Sequence, residues 1–339
     1  MSDSLRALVR PGVAFALAIV LALYLTPLLR RAAIRFGITD RPDGRLKKQR
    51  EPVPYLGGLA IYLSFLLALT ATLRFDSIEV LGLLLAGAIV VMLGLIDDFG
   101  VLTPGQKLAG QVVAVLTLIN ASIYIKLAFL PPWVAVILSF LWLLAITNAF
   151  NLIDIMDGLA AGVAAAAALV LFAVALVNGR QTYAVLLAAL AGALCGFLKF
   201  NFEPARIYMG DAGSLFIGLM LGALAMNNSY TRTNLVASLA PIVILGVPLF
   251  DMLFVMYIRR RRGLPVMLGS PDHFALRLRK WRLTTRQTVL TSWGATLVLG
   301  LVAIGVMLAS GPVAATLLAL VALTAILLGF FLKRIDMTL

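Results

Sequence analysis

PWVAVILSFLWLLAITNAF, residues 132–150, is a largely apolar run that contains no charged side chain. As an α-helix rising about 1.5 Å per residue it would extend about 28 Å, close to the ~30 Å hydrocarbon core of a bilayer. A short polar segment, NLIDIMD (151–157), follows at once, and a second apolar run, GLAAGVAAAAALVLFAVALV (158–177), follows that. The pattern predicts two membrane-spanning helices joined by a short polar loop.

The rest of the chain repeats this pattern. Its 339 residues are 62% hydrophobic and 13% charged, with a mean hydropathy of +1.03, whereas soluble domains are about half apolar and a quarter charged. A β-barrel is excluded because its strands alternate apolar and polar residues, and these runs are continuously apolar. We therefore predict an all-α polytopic membrane protein, one integral membrane domain over residues 1–339. Its ten or eleven spans are predicted near 11–29, 55–73, 79–96, 108–125, 132–150, 158–177, 182–198, 213–229, 235–258, 288–309 and 313–332.

The basic residues predict how the chain is oriented. About 22 of the 28 Lys and Arg residues fall in loops on one side of the predicted helices, and such loops are retained in the cytoplasm. With eleven spans, the N-terminus is then expected outside and the C-terminus inside. The net charge of +13 is explained by topology and anionic headgroups, so it gives no support to nucleic-acid binding. The loops expected to carry the active site are 30–54, 97–107, 151–157, 199–212 and 259–287.

Five carboxylates stand where apolar helices end on this same side, and they come from three separate loops. Charge at the hydrocarbon boundary is costly and usually functional, and hard oxygen ligands suit Mg²⁺ together with substrate phosphates. Lysines and arginines lie in the same set of loops, as phosphoryl transfer requires. The carboxylates are Asp97, Asp98, Asp154, Asp157 and Asp211, and the nearby basic residues include Lys47, Lys48, Arg50 and Lys107.

Ordinary structural roles remain open for each of these residues taken singly. Adjacent aspartates such as Asp97 and Asp98 also occur in solvated loops, and Asn or Asp next to small residues commonly caps a helix. An ion-coupled transporter is the alternative from another functional class, because transporters also carry ionisable groups within the membrane. Asp251, inside a predicted span, is expected either to pair with a neighbour or to face the site.

Four motifs, in order, resemble one enzyme family. They are REPVPYLGGLAI (50–61), LGLIDDFGVLTPGQKLAGQ (93–111), NAFNLIDIMDGLAAG (148–162) and FNFEPARIYMGDAGSLFIG (200–218). Together they are similar to the polyprenyl-phosphate N-acetylhexosamine-1-phosphate transferases, of the glycosyltransferase family 4 type. The resemblance implies transfer of a sugar 1-phosphate from a UDP-sugar to undecaprenyl phosphate with release of UMP, an early step in making a cell-envelope glycan such as lipopolysaccharide or teichoic acid.

The resemblance also implies cofactors, partners and residue roles. Mg²⁺ is the expected ion, with Mn²⁺ as an alternative, and the expected location is the bacterial inner membrane, with a homodimer as the expected assembly. By position, the expected metal ligands are Asp211 and Asn151. The expected catalytic residues are Asp97, Asp98, Lys107, Asp154 and His273. The expected substrate contacts are Arg50, Asn151, Asp157, Asn201 and Gly210.

One departure from the family pattern bears on the donor. The last large loop contains His273, the only histidine of the chain, where many members carry several. This argues against the phospho-N-acetylmuramoyl-pentapeptide transferase branch, which is rich in histidine there, although that branch remains the alternative within the family. A UDP-N-acetylhexosamine such as UDP-GlcNAc is therefore the favoured donor.

Overall fold

The computed structural model describes residues 3–40, 52–265 and 270–337, and most of these residues are in helices. Two short strands, β1 (Thr39–Asp40) and β2 (Val53–Pro54), pair antiparallel. The helices before the midpoint of the chain are α1 (Asp3–Arg35), α2 (Gly57–Thr72), α3 (Ile78–Asp98), α4 (Pro104–Asn120), α5 (Pro132–Ile153) and α6 (Leu159–Val177). Those after it are α7 (Gln181–Asn201), α8 (Gly210–Met226), α9 (Ala240–Ile244), α10 (Gly246–Arg261), α11 (Phe274–Trp281), α12 (Thr285–Leu308) and α13 (Gly311–Lys333).

The predicted fold class is confirmed. Among the described residues, seven helices are long and apolar enough to cross a membrane, and a bent pair could form an eighth span. Three other predicted spans are also helical but shorter. The helices α2 and α8 are apolar and have 16 and 17 residues, and α4 has 17 residues. At about 1.5 Å per residue these reach about 24–26 Å, somewhat less than the hydrocarbon core.

The span predicted near 235–258 is helical but is not one continuous helix. A 3₁₀ helix at Leu235–Leu239 leads into α9, and α10 then departs at an angle of 75°. Pro248 accounts for the break, because it has no N–H to donate to the carbonyl of Ile244 and its ring would collide with that carbonyl in a continuous helix. Hydropathy does not register this missing donor.

Close contacts between glycines fix where α2, α3 and α8 meet. A Cβ placed on Gly58 would lie 2.1 Å from the backbone nitrogen of Gly213, and one on Gly94 would lie 2.3 Å from that of Ala212. Only glycine permits such approaches between backbones. The C-terminal end of α3, which carries Asp97 and Asp98, is thereby held against the first turn of α8.

Backbone hydrogen bonds continue this arrangement into the loops. The N–H of Tyr208 donates to Pro54 in β2 (2.9 Å), and the N–H groups of Gly57 and Gly58 donate to Tyr208 (3.0 Å) and Met209 (2.8 Å). The strand pair and the start of α2 therefore hold the segment that leads into α8. The helices α6 and α7 form the buried centre, because most of their residues are covered by neighbouring helices.

Candidate active site

Asp98 caps the N-terminus of α8. Its Oδ1 accepts a hydrogen bond from the backbone N–H of Asp211 (2.7 Å), and its Oδ2 accepts a longer one from that of Ala212 (3.4 Å). A carboxylate in this position satisfies N–H groups that have no partner within the helix. Gly210 allows the approach, since it has a φ of +71° and a Cβ there would lie 2.6 Å from Asp98 Oδ2.

Lys107 is the centre of a polar cluster whose side chains come from four helices, α3, α4, α5 and α8. Its Nζ lies 2.8 Å from Asp97 Oδ2, donates to Asn151 Oδ1 at 3.1 Å, and also donates to Asp211 Oδ2. A capping box between Thr103 and Gln106 sets the first turn of α4, from which Lys107 projects. One ammonium group thus holds together two carboxylates that would otherwise repel each other.

Asn151 completes the cluster from the last turn of α5. Its Nδ2 donates to Asp211 Oδ1 (2.7 Å) and to Ser214 Oγ (2.9 Å), while its Oδ1 accepts from Lys107. Both carboxylate oxygens of Asp211 are therefore hydrogen-bonded. Ser214, which the sequence analysis did not assign, lies one turn along α8 from Asp211, and that helical spacing is the signal that could have identified it.

Asp154 and Asp157 lie in the short loop between α5 and α6. Burial, together with the negative charges of Asp211, Asp98 and Asp157, raises the pKa of Asp154 to about 8. Burial also raises the pKa of Asp157, although a hydrogen bond from the N–H of Ala205 (2.8 Å) works against that rise. Asp154 thus shares an electrostatic environment with the cluster, and Asp157 holds the loop that precedes α8.

Asn201 joins two loops beside the cluster. Its side chain is 5% exposed; Oδ1 accepts from the N–H of Gly158 (3.1 Å) and Nδ2 donates to the carbonyl of Ile207 (3.0 Å). The structure therefore gives Asn201 a role in holding these loops together, and its contact with substrate remains a prediction.

His273 pairs with Asp251 rather than with the Lys107 cluster. His273 Nδ1 lies 2.6 Å from Asp251 Oδ2, and Asp251 Oδ1 accepts from the N–H of Phe274 (2.8 Å) at the start of α11. Both side chains are buried. The expectation that Asp251 pairs with a neighbour is confirmed. Its position as a lone carboxylate within an apolar span is what indicated, from the sequence, that it needs a partner.

The donor atoms suit a hard divalent cation that also binds substrate. In the described part of the chain, no three His, Cys, Asp or Glu side chains are grouped so as to hold a metal by themselves. Mg²⁺ usually takes only one or two protein carboxylates and completes its shell with water and phosphate. Asp211, with the amide of Asn151 beside it, offers ligands of this kind. Arg50, with Lys47 and Lys48, lies outside the described residues.

Comparison with known proteins places this cluster in a family. The family model described as "Glycosyl transferase family 4" matches residues 80–229. A probable undecaprenyl-phosphate N-acetylglucosaminyl 1-phosphate transferase of Bacillus subtilis is 32% identical over 291 residues, covering 84% of this chain and 81% of the relative. The chain belongs to glycosyl transferase family 4. It is therefore a transferase, and its apolar helices make it a multi-pass membrane protein.

Two further similar proteins have names that give different substrates. The decaprenyl-phosphate N-acetylglucosaminephosphotransferase of Mycolicibacterium smegmatis is 31% identical over 325 residues, covering 85% of this chain and 79% of the relative. The phospho-N-acetylmuramoyl-pentapeptide-transferase of Heliobacterium modesticaldum is 33% identical over 311 residues, covering 84% and 93%. The family match at 80–229 includes the Lys107 cluster and ends before His273 and Asp251.

Proposed function

We propose that this protein transfers N-acetylhexosamine 1-phosphate, most simply GlcNAc 1-phosphate, from a UDP-sugar to undecaprenyl phosphate and releases UMP. The observation that carries the proposal is the bridge from Lys107 to Asp97 and Asp211, with Asn151 beside it, where the ends of four helices meet. The named activities of the Bacillus and Mycolicibacterium relatives support the same reaction and lipid class.

The reaction is a phosphoryl substitution. An oxygen of the lipid phosphate forms a bond to the β-phosphorus of the UDP-sugar, and the bond from that phosphorus to the bridging oxygen breaks, so that UMP leaves with the electron pair. A phosphate monoester has a second pKa of about 6, so the lipid phosphate is mostly dianionic at neutral pH and needs no strong base. Asp97 then serves chiefly to orient Lys107 and the incoming phosphate.

The remaining residues of the cluster neutralise the charge of the phosphates or position the groups that do so. Lys107 neutralises charge that develops on the phosphates during transfer, and Asp98 fixes the backbone of Asp211 through the cap on α8. When bound by Asp211 and Asn151, Mg²⁺ (or Mn²⁺) would supply further neutralisation of the donor diphosphate. Asp154 shares the electrostatic environment of the Lys107 cluster, and we assign both Asp154 and Asp157 to binding of the donor.

The proposed location is the bacterial inner membrane, with the Lys107 cluster at the cytoplasmic face, the N-terminus outside and the C-terminus inside. The excess of Lys and Arg in loops on that side supports this orientation. The homodimer that the family resemblance suggests stays a prediction.

The pentapeptide transferase reaction is a second candidate, favoured by the similarity to the Heliobacterium protein. Purified protein, Mg²⁺ and undecaprenyl phosphate, given either radiolabelled UDP-GlcNAc or UDP-MurNAc-pentapeptide, separate the two. Release of UMP with a labelled lipid from UDP-GlcNAc alone supports our proposal, and labelling from the pentapeptide donor alone favours the second candidate. If neither donor is cleaved but a labelled substrate crosses a liposome membrane, the protein is a transporter.

A further inference from the structure

A second polar cleft lies at the end of the helices opposite the Lys107 cluster. Because α3 begins at Ile78 and ends at the cluster, its N-terminal residues mark the other face of the membrane. The cleft has a volume of about 380 Å³, within the size range of small-ligand sites. Its polar lining residues are Ser77, Glu79, Arg180, Gln181, Thr182 and Tyr183.

The one carboxylate that lines this cleft already has its partners. Glu79 Oε1 lies 3.3 Å from Nζ of Lys126, and Oε2 accepts a hydrogen bond from the hydroxyl of Tyr183 (3.1 Å). The negative charge of Glu79 is thus balanced by Lys126 and oriented by Tyr183. A cationic ligand would have to displace these contacts to reach it.

Unlike Glu79, Arg180 has no partner of opposite charge among the described residues. Its Nη2 donates to the carbonyl of Asn227 (2.7 Å), and its guanidinium lies 5.1 Å from the ring centroid of Tyr183. Its Nε is buried without a hydrogen-bond partner, and within the described ranges no carboxylate forms a salt bridge with it. A guanidinium has five N–H donors, so Arg180 keeps donors to spare and its charge is not balanced.

We propose that this cleft binds a phosphate-type monoanion through Arg180. Among the residues that line the cleft, Glu79 and Arg180 are the charged ones, and Glu79 is paired with Lys126. The guanidinium of Arg180 is therefore the lining charge left for a ligand, and guanidinium groups bind phosphate oxygens well. The hydroxyls of Ser77 and Thr182 line the same cleft and can donate to such oxygens. The same chemistry is offered by the headgroup of a membrane phospholipid and by free phosphate.

The surroundings favour the lipid as the source of this phosphate. Next to the cleft, Ile78 is 64% exposed and Leu81 47% exposed on α3, so an apolar surface leads away from the headgroup position. Acyl chains could lie along this surface while the phosphate occupies the cleft.

The test uses the full chain, delipidated in detergent. Phosphatidylglycerol is titrated by native mass spectrometry, and inorganic phosphate is titrated separately by the shift in melting temperature. We expect Arg180→Gln to weaken phosphatidylglycerol binding at least tenfold, and Arg180→Lys to weaken it less. Arg74→Gln is the matched control, because Arg74 is an exposed arginine at the same end of the helices that does not line this cleft.

A further variant guards against misfolding, since Arg180→Gln also removes the bond to Asn227. Gln181→Glu adds a negative charge to the cleft at an exposed position and removes no described hydrogen bond of the Gln181 side chain, so it should also weaken binding of the anion. Arg180-dependent binding of phosphatidylglycerol alone identifies a lipid site, and Arg180-dependent binding of inorganic phosphate alone identifies a site for free phosphate. Equal binding of both ligands by wild type, Arg180→Gln and Gln181→Glu overturns the proposal.

Discussion

At the scale of single residues, Lys107 concentrates the chemistry of the site. It contacts two carboxylates and one amide oxygen that come from three different helices. Charge-assisted hydrogen bonds of this kind are about twice as strong as neutral ones. The ammonium group thus both assembles the site and supplies positive charge where phosphates would react.

Replacing Lys107 is the sharpest residue-level test of the proposed function. Lys107→Met should lower kcat about 100-fold or more, as loss of one preorganised charge-stabilising donor commonly does. Rates of UMP release measure this directly. Lys126→Met, which removes a lysine from the opposite end of the helices, is the control and should keep near-normal kcat; equal losses in both variants would contradict the role given to Lys107.

Gly210 offers a matched pair of alanine substitutions. Gly210→Ala and Gly37→Ala place a side chain at the same φ of +71°, which costs about 1 kcal/mol in each case. Only at Gly210 does the new Cβ meet Asp98, since nothing lies within 4 Å of one at Gly37. Gly210→Ala should therefore lose most activity while Gly37→Ala keeps it. Comparable activity in the two variants would show that the cap on α8 is not needed.

The pKa of Asp154 makes a prediction about stability and pH. Because burial and neighbouring charges raise this pKa to about 8 in the folded protein, the folded state holds a proton that the unfolded state releases near pH 4. Without divalent cations, the stability from Asp154 is complete below about pH 4 and is lost as pH rises to about 8. In EDTA, the melting temperature of Asp154→Asn should rise relative to that of wild type as the pH is raised from 5.5 to 8.5. A difference between the two melting temperatures that does not change with pH would refute this.

At the scale of elements, the contact between α3 and α8 decides whether the site forms. A Cβ on Gly94 would lie 2.3 Å from the backbone nitrogen of Ala212, and backbone atoms cannot move aside as a flexible side chain can. The same ends of these helices carry Asp97, Asp98 and Asp211. Helix packing and site geometry are therefore set by the same small residues.

Gly94→Ala should separate α3 from α8. We expect a loss of about 1–3 kcal/mol of stability, typical of overpacking, together with a larger fall in activity as Asp98 leaves the N-terminus of α8. Thermal unfolding and UMP release measure the two effects. Gly105→Ala in α4 is the control, because a Cβ there meets nothing within 4 Å; full activity in Gly94→Ala would argue against this coupling.

At the scale of the whole molecule, two polar regions lie at opposite ends of the helices. The Lys107 cluster is at one end, and the Arg180 cleft is at the other. The orientation proposed from the basic loops places the first in the cytoplasm and the second outside. This separation can be tested without knowing any substrate.

Cysteine labelling tests the orientation. In a Cys195→Ala background, which removes the only native cysteine, Gln181→Cys should react with a membrane-impermeant maleimide added to intact spheroplasts. Gly105→Cys, close to Lys107, should react only after the membrane is permeabilised. The reverse pattern would invert the proposed topology.

The sequence predicts the helices and the loops of the site well, because hydropathy and residue type are local properties. It does not predict that Lys107 contacts Asp211, since these residues are far apart in the chain and meet only through helix packing. The pairing of His273 with Asp251 has the same origin. Hydropathy does not reveal the break before α10, because a single proline hardly changes the average over an apolar run although it removes a hydrogen-bond donor.

The double attachment of Asn201 links two movements. A single carboxamide holds Gly158 on one side and Ile207 on the other, so neither loop can lift away without breaking a bond to its neighbour or carrying it along. If the proposed UDP-sugar binds against these loops, its entry and the departure of UMP would require both loops to move together.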